Sequence, residues 1–325
     1  MLLYVVRRLA QSALVIFVMS ALVFAGVYAI GNPIDILINP QADQAEIERA
    51  TAALGLDKPL PVQYWSFLSN AFSGELGRSF TSNVPAMDLI LQRMPATVEL
   101  ALTAMVIAIV LGVPLGLWAG LKPTSASSKA IMAGSILGFS LPTFWVGLML
   151  IMVFSVWLGW LPPTGRGETV RVLGMELSLF TWDGLRHLVM PATNLALFKL
   201  ALLIRLTRAG TREAMVQDYV RFARAKGVSE RSIVRKHVLK NIMIPIVTVV
   251  GLEFGSVIAF AIVTETIFAW PGMGKLLIDS INVLDRPVIV AYLLVIVLIF
   301  VVINLLVDLA YTALDPRVRL TAARA

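Results

Sequence analysis

The sequence predicts an all-α protein that crosses a membrane about six times. Of its 325 residues, 58% are hydrophobic and only 14% are charged, whereas a soluble domain has roughly 45–50% apolar and about 25% charged residues. Apolar runs long enough to cross a hydrocarbon core of about 30 Å as helices recur along the chain. The runs lack the two-residue alternation of membrane barrel strands, and only helices or closed barrels satisfy every backbone group in lipid.

The predicted spans are the apolar runs at about 9–30, 97–121, 130–158, 188–206, 243–265 and 288–311. The first run follows Arg7 and Arg8, as the core of a secretory signal does. It is too long for a signal core and lacks a convincing cleavage site, so we expect a retained helix.

Composition divides the predicted chain into three parts. Residues 1–30 form an N-terminal segment with the first span. Residues 31–96 are polar enough to lie outside the membrane as an extracytoplasmic cap, with short helical patterns around 43–54 and 62–72. Residues 97–325 form a core transmembrane domain, which includes a cytoplasmic segment at about 209–243.

Basic residues predict the orientation of the chain. Residues 205–240 contain ten Lys and Arg against three acidic residues. Loops rich in Lys and Arg stay on the cytoplasmic side, so this segment and both termini are predicted to be cytoplasmic. The net charge of +7 is thereby explained by topology. Because no nucleic-acid-binding module is recognisable, we expect no nucleic-acid partner.

The sequence offers no catalytic or metal-binding constellation. The run Gly272-Met273-Gly274-Lys275 continues with Leu276 and so lacks the Ser or Thr that a phosphate-binding loop needs. The only two histidines are far apart, and cysteine is absent, which excludes disulfides and thiolate metal sites. We therefore expect no catalytic residues, no metal and no cofactor bound by this chain.

The stretch from Asp218 to Thr248 combines a helix-compatible run, Gly227, a second basic helical run and then an apolar span. Because Gly commonly ends a helix, the pattern favours two short helices outside the bilayer. Such helices give a membrane domain a rigid projection on which a soluble motor can act. The alternative interpretation is an ordinary positively charged cytoplasmic loop.

Ordered sequence blocks resemble one family over nearly the whole chain. Residues 221–227, RFARAKG, resemble the coupling motif of ABC importer permeases in its dipeptide and oligopeptide form, although the generic motif begins with Glu-Ala-Ala. Further matching blocks are LGLDKP at 54–59, GELG at 74–77, PATVEL at 95–100, TETIFAWPGMG at 264–274 and NLLVD at 304–308. The chain thus resembles the B-type permease of dipeptide, oligopeptide and nickel importers, which implies a type I importer permease fold.

The resemblance implies a set of partners in the bacterial plasma membrane: a second homologous permease, two ATP-binding subunits and an extracytoplasmic solute-binding protein. ATP and Mg²⁺ would bind to the ATPase subunits and not to this chain. The implied cargo is a di- or oligopeptide. Nickel chelates, glutathione or other small solutes are alternatives within the same machinery, and an ATP-independent secondary transporter is a further alternative.

The resemblance also implies which residues couple the permease to its ATPases. The helix that carries them would insert into a groove on an ATPase subunit, with Ala223 and Gly227 allowing close backbone approach. The implied coupling residues are Arg221, Phe222, Ala223, Arg224, Ala225, Lys226, Gly227, Ser229, Glu230 and Ser232.

Lys199 and Glu253 are ionisable residues near the middle of predicted spans. An unpaired charge there costs at least about 2.5–3.5 kcal/mol, so each needs a partner or water. We expect the two residues to pair, or to line the translocation path together with Asn194. A substrate contact and a structural ion pair both fit the sequence.

Residues near other span ends are predicted to lie at an interface. Glu99, Glu265 and Asp308 fit helix capping or a solvated boundary. We hypothesise that Trp270, Pro271 and Gly272 form a turn that re-enters toward the outer mouth and, with Glu265, contacts the binding protein.

Overall fold

The computed structural model describes residues 2–29, 43–53 and 55–314. Helix α1 covers Leu2–Ala29, α2 Gln44–Ala53, α3 Leu60–Ser73, α4 Ala86–Leu121, α5 Ala126–Ser140 and α6 Thr143–Leu150, which continues as π-helix over Ile151–Trp157. Strands β1 (Val170–Val172) and β2 (Met175–Leu177) form an antiparallel hairpin. Then follow α7 Trp182–Met215, α8 Asp218–Ala225, α9 Glu230–Ile233, a π-helical turn Val234–Val238, α10 Leu239–Ile267, α11 Met273–Asn282 and α12 Arg286–Leu314.

The predicted helical fold class is confirmed. Among the described residues, five helices are long and apolar enough to cross a membrane. A bent pair of helices makes a sixth span if the pair is counted as one. The two short helical patterns predicted around 43–54 and 62–72 are also present, as α2 and α3.

The third predicted span, 130–158, is not one continuous helix. It is broken into Ala126–Ser140 and Thr143–Trp157, which are bent by 107°. The break has a local cause, because Pro142 disfavours helical backbone at the preceding residue. Leu141 accordingly adopts an extended conformation, with φ −82° and ψ 136°.

Two other helices extend well beyond the predicted spans. Helix α4 begins at Ala86 instead of near residue 97, and α7 covers Trp182–Met215 instead of 188–206. The hydropathy pattern marks only the part of a helix that suits lipid, whereas backbone hydrogen bonding continues into polar sequence. Thr181 caps α7 by accepting a hydrogen bond from the Gly184 N–H at 2.9 Å, which fixes its early start.

The chain divides into two compact units, of which the first comprises Met1–Pro95 and Gly272–Leu305. In this unit α3 packs against α1. Tyr64 and Phe67 of α3 contact Phe24 of α1 with ring centroids 5.3 and 5.6 Å apart. The hydroxyls of Tyr64 and Ser20 share a 2.8 Å hydrogen bond. An aromatic cluster therefore fixes α3 on α1.

A buried carboxylate fixes the segment before α4 in the same unit. Asp285, 2% exposed, accepts hydrogen bonds from the hydroxyls of Ser79 and Thr81 and from the Phe80 backbone N–H. Three donors satisfy the charge of a carboxylate that would otherwise be costly to bury.

The second unit comprises Ala96–Pro271 and Leu306–Ala325, and α7 is its central helix. Helix α7 packs against α5, α6 and α10. Of the candidate spans among the described residues it has the largest buried share, 56%. Side chains of α5, α6 and α10 therefore meet on the surface of α7.

Three glycines spaced by four residues let α4 approach α7 closely. A Cβ added to Gly116 would lie 2.6 Å from the Ile204 carbonyl oxygen, and one on Gly120 would lie 2.6 Å from the Thr211 Cβ. A Cβ on Gly112 would lie 2.9 Å from the Leu203 Cβ. The close approach expected of small residues in a membrane helix is thus present.

Replacing Gly116 by Ala is expected to destabilise the folded permease. The added methyl group collides with backbone, which cannot move aside as a flexible side chain can, and such overpacking costs about 1–3 kcal/mol. Thermal unfolding in detergent measures the effect as a lower melting temperature. Gly134→Ala is the matched control, because a Cβ there meets nothing within 4 Å. Equal melting temperatures for the two variants would contradict this account of the α4–α7 contact.

Candidate functional site

The segment after α7 forms two short helices, as the sequence predicted. Helix α8 follows α7 after Val216 and Gln217, and α9 continues through the π-helical turn into α10. Val220 is fully buried and Ala223 is 6% exposed, so one face of α8 packs into the permease. Ile233 and Val238 of the following turns are also fully buried. The segment is therefore anchored by its own apolar face and is not a free loop.

The turn between α8 and α9 requires the glycine at its centre. Gly227 has φ +75°, a left-handed conformation that favours glycine. Its N–H donates to the Arg224 carbonyl at 2.9 Å, and the Val228 N–H donates to the Ala223 carbonyl at 3.1 Å. These two bonds define a Schellman motif, which satisfies the last carbonyls of α8.

An ion pair joins the two short helices across this turn. Arg224 donates from Nε to Glu230 Oε1 at 2.6 Å and from Nη2 to Glu230 Oε2 at 3.2 Å. The hydrogen bond to Glu230 raises the pKa of Arg224 further above its ordinary value, so this guanidinium stays charged. The pair bridges α8 and α9 across the turn, although an exposed pair adds little stability.

The outward face of α8 is basic and aromatic. Phe222 is 62% exposed, and the Lys226 ammonium lies 4.4 Å from its ring centroid. Arg221 lies beside it with only a 3.7 Å contact to Asp218. Exposed aromatic and Arg side chains are enriched at protein interfaces.

The structure separates the predicted coupling residues into an outer and an inner set. Ala223 was expected to allow approach of an ATPase subunit, but it faces the permease itself, where its small size permits the packing of α8. Ser232 is half-buried. The exposed members are Arg221, Phe222, Arg224, Ala225, Lys226, Gly227, Ser229 and Glu230.

Lys199 on α7 and Glu253 on α10 form the ion pair that the sequence suggested. The Lys199 ammonium donates to Glu253 Oε2 and, at 2.8 Å, to Ser256 Oγ. Ser256 in turn donates to Glu253 Oε2 at 2.9 Å. The side chains of Lys199 and Glu253 are 11% and 31% exposed, so the cluster is accessible from one side.

Asn194 lies deeper in the second unit than Lys199. It is 1% exposed, and its Nδ2 donates to Thr264 Oγ1 at 3.0 Å. Its Oδ1 has no hydrogen-bond partner among the described residues. This geometry makes Asn194 a link between α7 and α10, while its membership of the translocation path stays a prediction.

Glu99 is buried, contrary to the interface expected from its place near a span end. It is 4% exposed and accepts from Arg166 Nη2 at 2.6 Å and from Arg166 Nε at 3.1 Å. Its other oxygen accepts the backbone N–H groups of Ser178 and Leu179, both at 2.7 Å. One carboxylate of α4 thus holds the loop between α6 and α7 and the hairpin in it.

Glu265 is likewise fully buried and not solvated. Thr97 Oγ1 donates to Glu265 Oε1 at 2.6 Å. The fully buried Trp270 donates from Nε1 to the Ala96 carbonyl at 2.9 Å, and Ala269 before it has φ +45°. Both side chains therefore hold the turn after α10. Pro271 is half-buried, and the predicted contact of this turn with a binding protein stays a prediction. Gly272 is buried and caps α11.

Arg166 is the site residue that the sequence reasoning missed. It lies in a loop of balanced charge, where a single Arg gives no signal of burial. Its guanidinium lies 5.6 Å from the Trp270 ring centroid, beside Glu99. Glu99 within PATVEL is the signal that could have pointed to Arg166. A carboxylate in an apolar helix needs a cation or several hydrogen-bond donors as partners.

Comparison with known proteins gives matches over nearly the whole chain. Residues 112–320 match the family of binding-protein-dependent transport system inner membrane components, and residues 1–101 match the N-terminal part of that family. The chain is 40% identical over 320 residues to the glutathione transport system permease protein GsiC of Escherichia coli O6:H1, covering 98% of this chain and 99% of the relative. The GsiC protein of Shigella dysenteriae serotype 1 is also 40% identical, with the same coverage.

Solved structures show a similar fold. The chain resembles the MetNI methionine ABC transporter in an inward-facing conformation with a TM-score of 0.54 and 15% sequence identity. The match covers 71% of this chain and 98% of that chain.

Removing the Glu99 carboxylate is expected to release the loop that it holds. In Glu99→Ala the Arg166 guanidinium loses its carboxylate, and breaking a buried pair costs about 3–5 kcal/mol. The natural chain has no cysteine, so a single introduced cysteine can be labelled specifically. Ser178→Cys reports on the loop, because Ser178 is fully buried and its hydroxyl has no partner among the described residues.

Maleimide is expected to react slowly with Ser178→Cys alone and at least about tenfold faster when Glu99→Ala is added. Leu173→Cys, at a position that is 93% exposed, should react quickly in both backgrounds. An unchanged slow reaction at position 178 would show that Glu99 does not hold the loop.

Proposed function

Because the chain belongs to the family of binding-protein-dependent transport system inner membrane components, it is a permease subunit of an ABC importer, and we propose that its cargo is a short peptide of the glutathione type. Permeases of this family carry no ATPase site of their own. Transport therefore has to be powered by other subunits, which need a docking surface on this chain.

The anchored, outward-facing helix α8 is the observation that carries the coupling part of the proposal. Its inner face is fixed by Val220 and Ala223, and its turn by Gly227 and the Arg224–Glu230 pair. A force applied to Phe222 is therefore passed to the turn that leads into α10. We place the groove of an ATPase subunit against Arg221, Phe222 and Lys226.

The proposed assembly contains a second homologous permease, two ATP-binding subunits that hold ATP and Mg²⁺, and an extracytoplasmic solute-binding protein. ATP binding then favours one of two permease conformations. This requires the ATPase subunits to bind the two conformations with different affinity, since equal binding shifts no equilibrium.

The relatives support a peptide cargo. Their name assigns glutathione, a tripeptide, to proteins that are 40% identical over 98% of this chain. Other short peptides are the nearest alternatives, followed by nickel chelates and other small solutes. The binding protein is expected to set most of the choice among them.

The proposed location is the bacterial plasma (inner) membrane, with both termini cytoplasmic. The family description names inner membrane components. The ten basic residues between 205 and 240 support a cytoplasmic position for α8 and α9, where ATP-binding subunits are found.

Replacing Phe222 by Ala is expected to weaken coupling without weakening the fold. A central aromatic residue of an interface commonly contributes about 2 kcal/mol or more to binding. Phe222 is 62% exposed in the isolated chain, so the permease should melt at an unchanged temperature. Two measurements on the purified complex test this: retention of the ATPase subunits, and ATP hydrolysis stimulated by the glutathione-loaded binding protein.

Leu173→Ala is the matched control, because Leu173 is also an exposed apolar residue, 93% exposed, but lies in the hairpin turn between β1 and β2. It should leave both measurements unchanged. If Phe222→Ala retains the ATPase subunits fully and its ATP hydrolysis is fully stimulated, α8 is not the coupling surface.

A further inference from the structure

Six side chains of the second unit form one polar and aromatic cluster on α5, α7 and α10. Its members are Phe139, Phe198, Lys199, Arg205, Glu253 and Ser256. We call it the α7 cluster.

The contacts of the α7 cluster are continuous. The rings of Phe139 and Phe198 stack with centroids 4.6 Å apart. The Lys199 ammonium lies 5.2 Å from the Phe198 centroid, and the Arg205 guanidinium lies 4.5 Å from the Phe139 centroid. The stacked rings thus connect two cations that are six residues apart, about 9 Å along the helix.

The charges within the cluster do not balance. Glu253 is paired with Lys199, whereas Arg205 makes no ion pair or hydrogen bond with the described residues. Two cations therefore accompany one carboxylate. Phe139 and Phe198 are 43% and 37% exposed, so the cluster forms part of the surface of the unit.

A surface of this kind is costly against lipid. Ionisable side chains within membrane spans almost always face a water-filled cavity or the interior of a bundle. The exposure of Glu253, at 31%, is too high for a carboxylate that faces hydrocarbon. We infer that the α7 cluster lines the aqueous path of the importer.

The excess positive charge of the α7 cluster favours a cargo with a net negative charge. Near pH 7 glutathione carries two carboxylates and one ammonium, a net charge of about −1. The α7 cluster offers two cations and one carboxylate, which is the complementary set.

We propose that the α7 cluster transiently binds the charged ends of a short peptide during translocation. One peptide carboxylate takes the place of Glu253 beside Lys199, and the peptide ammonium binds the released Glu253 carboxylate. Arg205 binds a second carboxylate. Lys199 and Glu253 are each paired before and after the exchange, so it avoids the cost of isolating either ion. The inference rests on the proposed function, since it names how the same permease handles a peptide cargo.

The test uses the complete transporter in proteoliposomes and two double variants. The neutral pair Lys199→Met with Glu253→Gln removes both charges and leaves neither one unpaired. The swapped pair Lys199→Glu with Glu253→Lys restores an ion pair but reverses its direction. Lys122→Met is the control, because it removes an exposed cation that lies outside the cluster, at the end of α4.

Both double variants are expected to assemble and to keep ATP hydrolysis stimulated by the glutathione-loaded binding protein. Glutathione uptake per ATP hydrolysed should fall roughly tenfold or more, as expected when charge-assisted hydrogen bonds to the cargo are lost. Lys122→Met should transport like the wild type. This combination would separate a cargo contact from a purely structural ion pair.

Uptake at the wild-type level in either double variant would overturn the proposal. Failure of the neutral pair to assemble would overturn it too, because the pair would then serve folding or contact with the second permease. If the wild-type complex itself moves no peptide, the proposed function fails first, and that result is seen before any variant is made.

Discussion

Burial of charge inside apolar helices is the constraint on which the second unit depends. Three carboxylates in its apolar helices are matched to donors: Glu99 to Arg166 and two backbone N–H groups, Glu265 to Thr97, and Glu253 to Lys199 and Ser256. Because an unmatched charge would be costly in lipid, these contacts fix where the helices and loops can lie. The close packing of α4 on α7 through Gly116 adds a second constraint, since the contact leaves no room for a side chain at that position.

The polar contacts differ in how well they are shielded. Glu99 is 4% exposed and Glu265 fully buried, and both hold loops and turns that follow the helices. Glu253 is much more accessible, and its partner Lys199 lies beside an exposed aromatic pair. Shielded pairs suit a fixed structure, whereas an accessible pair can exchange its partner for a solute. This contrast is the physical basis for assigning different roles to similar residues.

The segment of α8 and α9, for which we propose a coupling role, is likewise held in place by buried side chains. Val220 and Ala223 form the buried face of α8, whereas Arg221, Phe222 and Lys226 are exposed. Gly227 gives the turn a conformation that most residues avoid.

Sequence patterns predicted the features that depend on local chemistry. Apolar runs predicted the spans, Gly227 predicted the turn, and the isolation of Lys199 and Glu253 in apolar sequence suggested their pairing. The break at Leu141 could have been predicted from Pro142, but the apolar sequence continues on both sides of Pro142 and so predicted one span. The partners of Glu99 could not, because Arg166 and Ser178 are distant in sequence and only the fold brings them together. The inward position of Ala223 also depends on packing that no local pattern records.

The most direct measurement of the central claim is uptake of radiolabelled glutathione into proteoliposomes that contain the assembled permeases and ATPase subunits. The loaded binding protein is added on the side that corresponds to the outside of the cell. The account predicts accumulation against a gradient only when the ATPase subunits can hydrolyse ATP, and none when they are inactivated. Passage of glutathione through this chain alone, without ATP or the binding protein, would contradict it and identify a self-sufficient transporter.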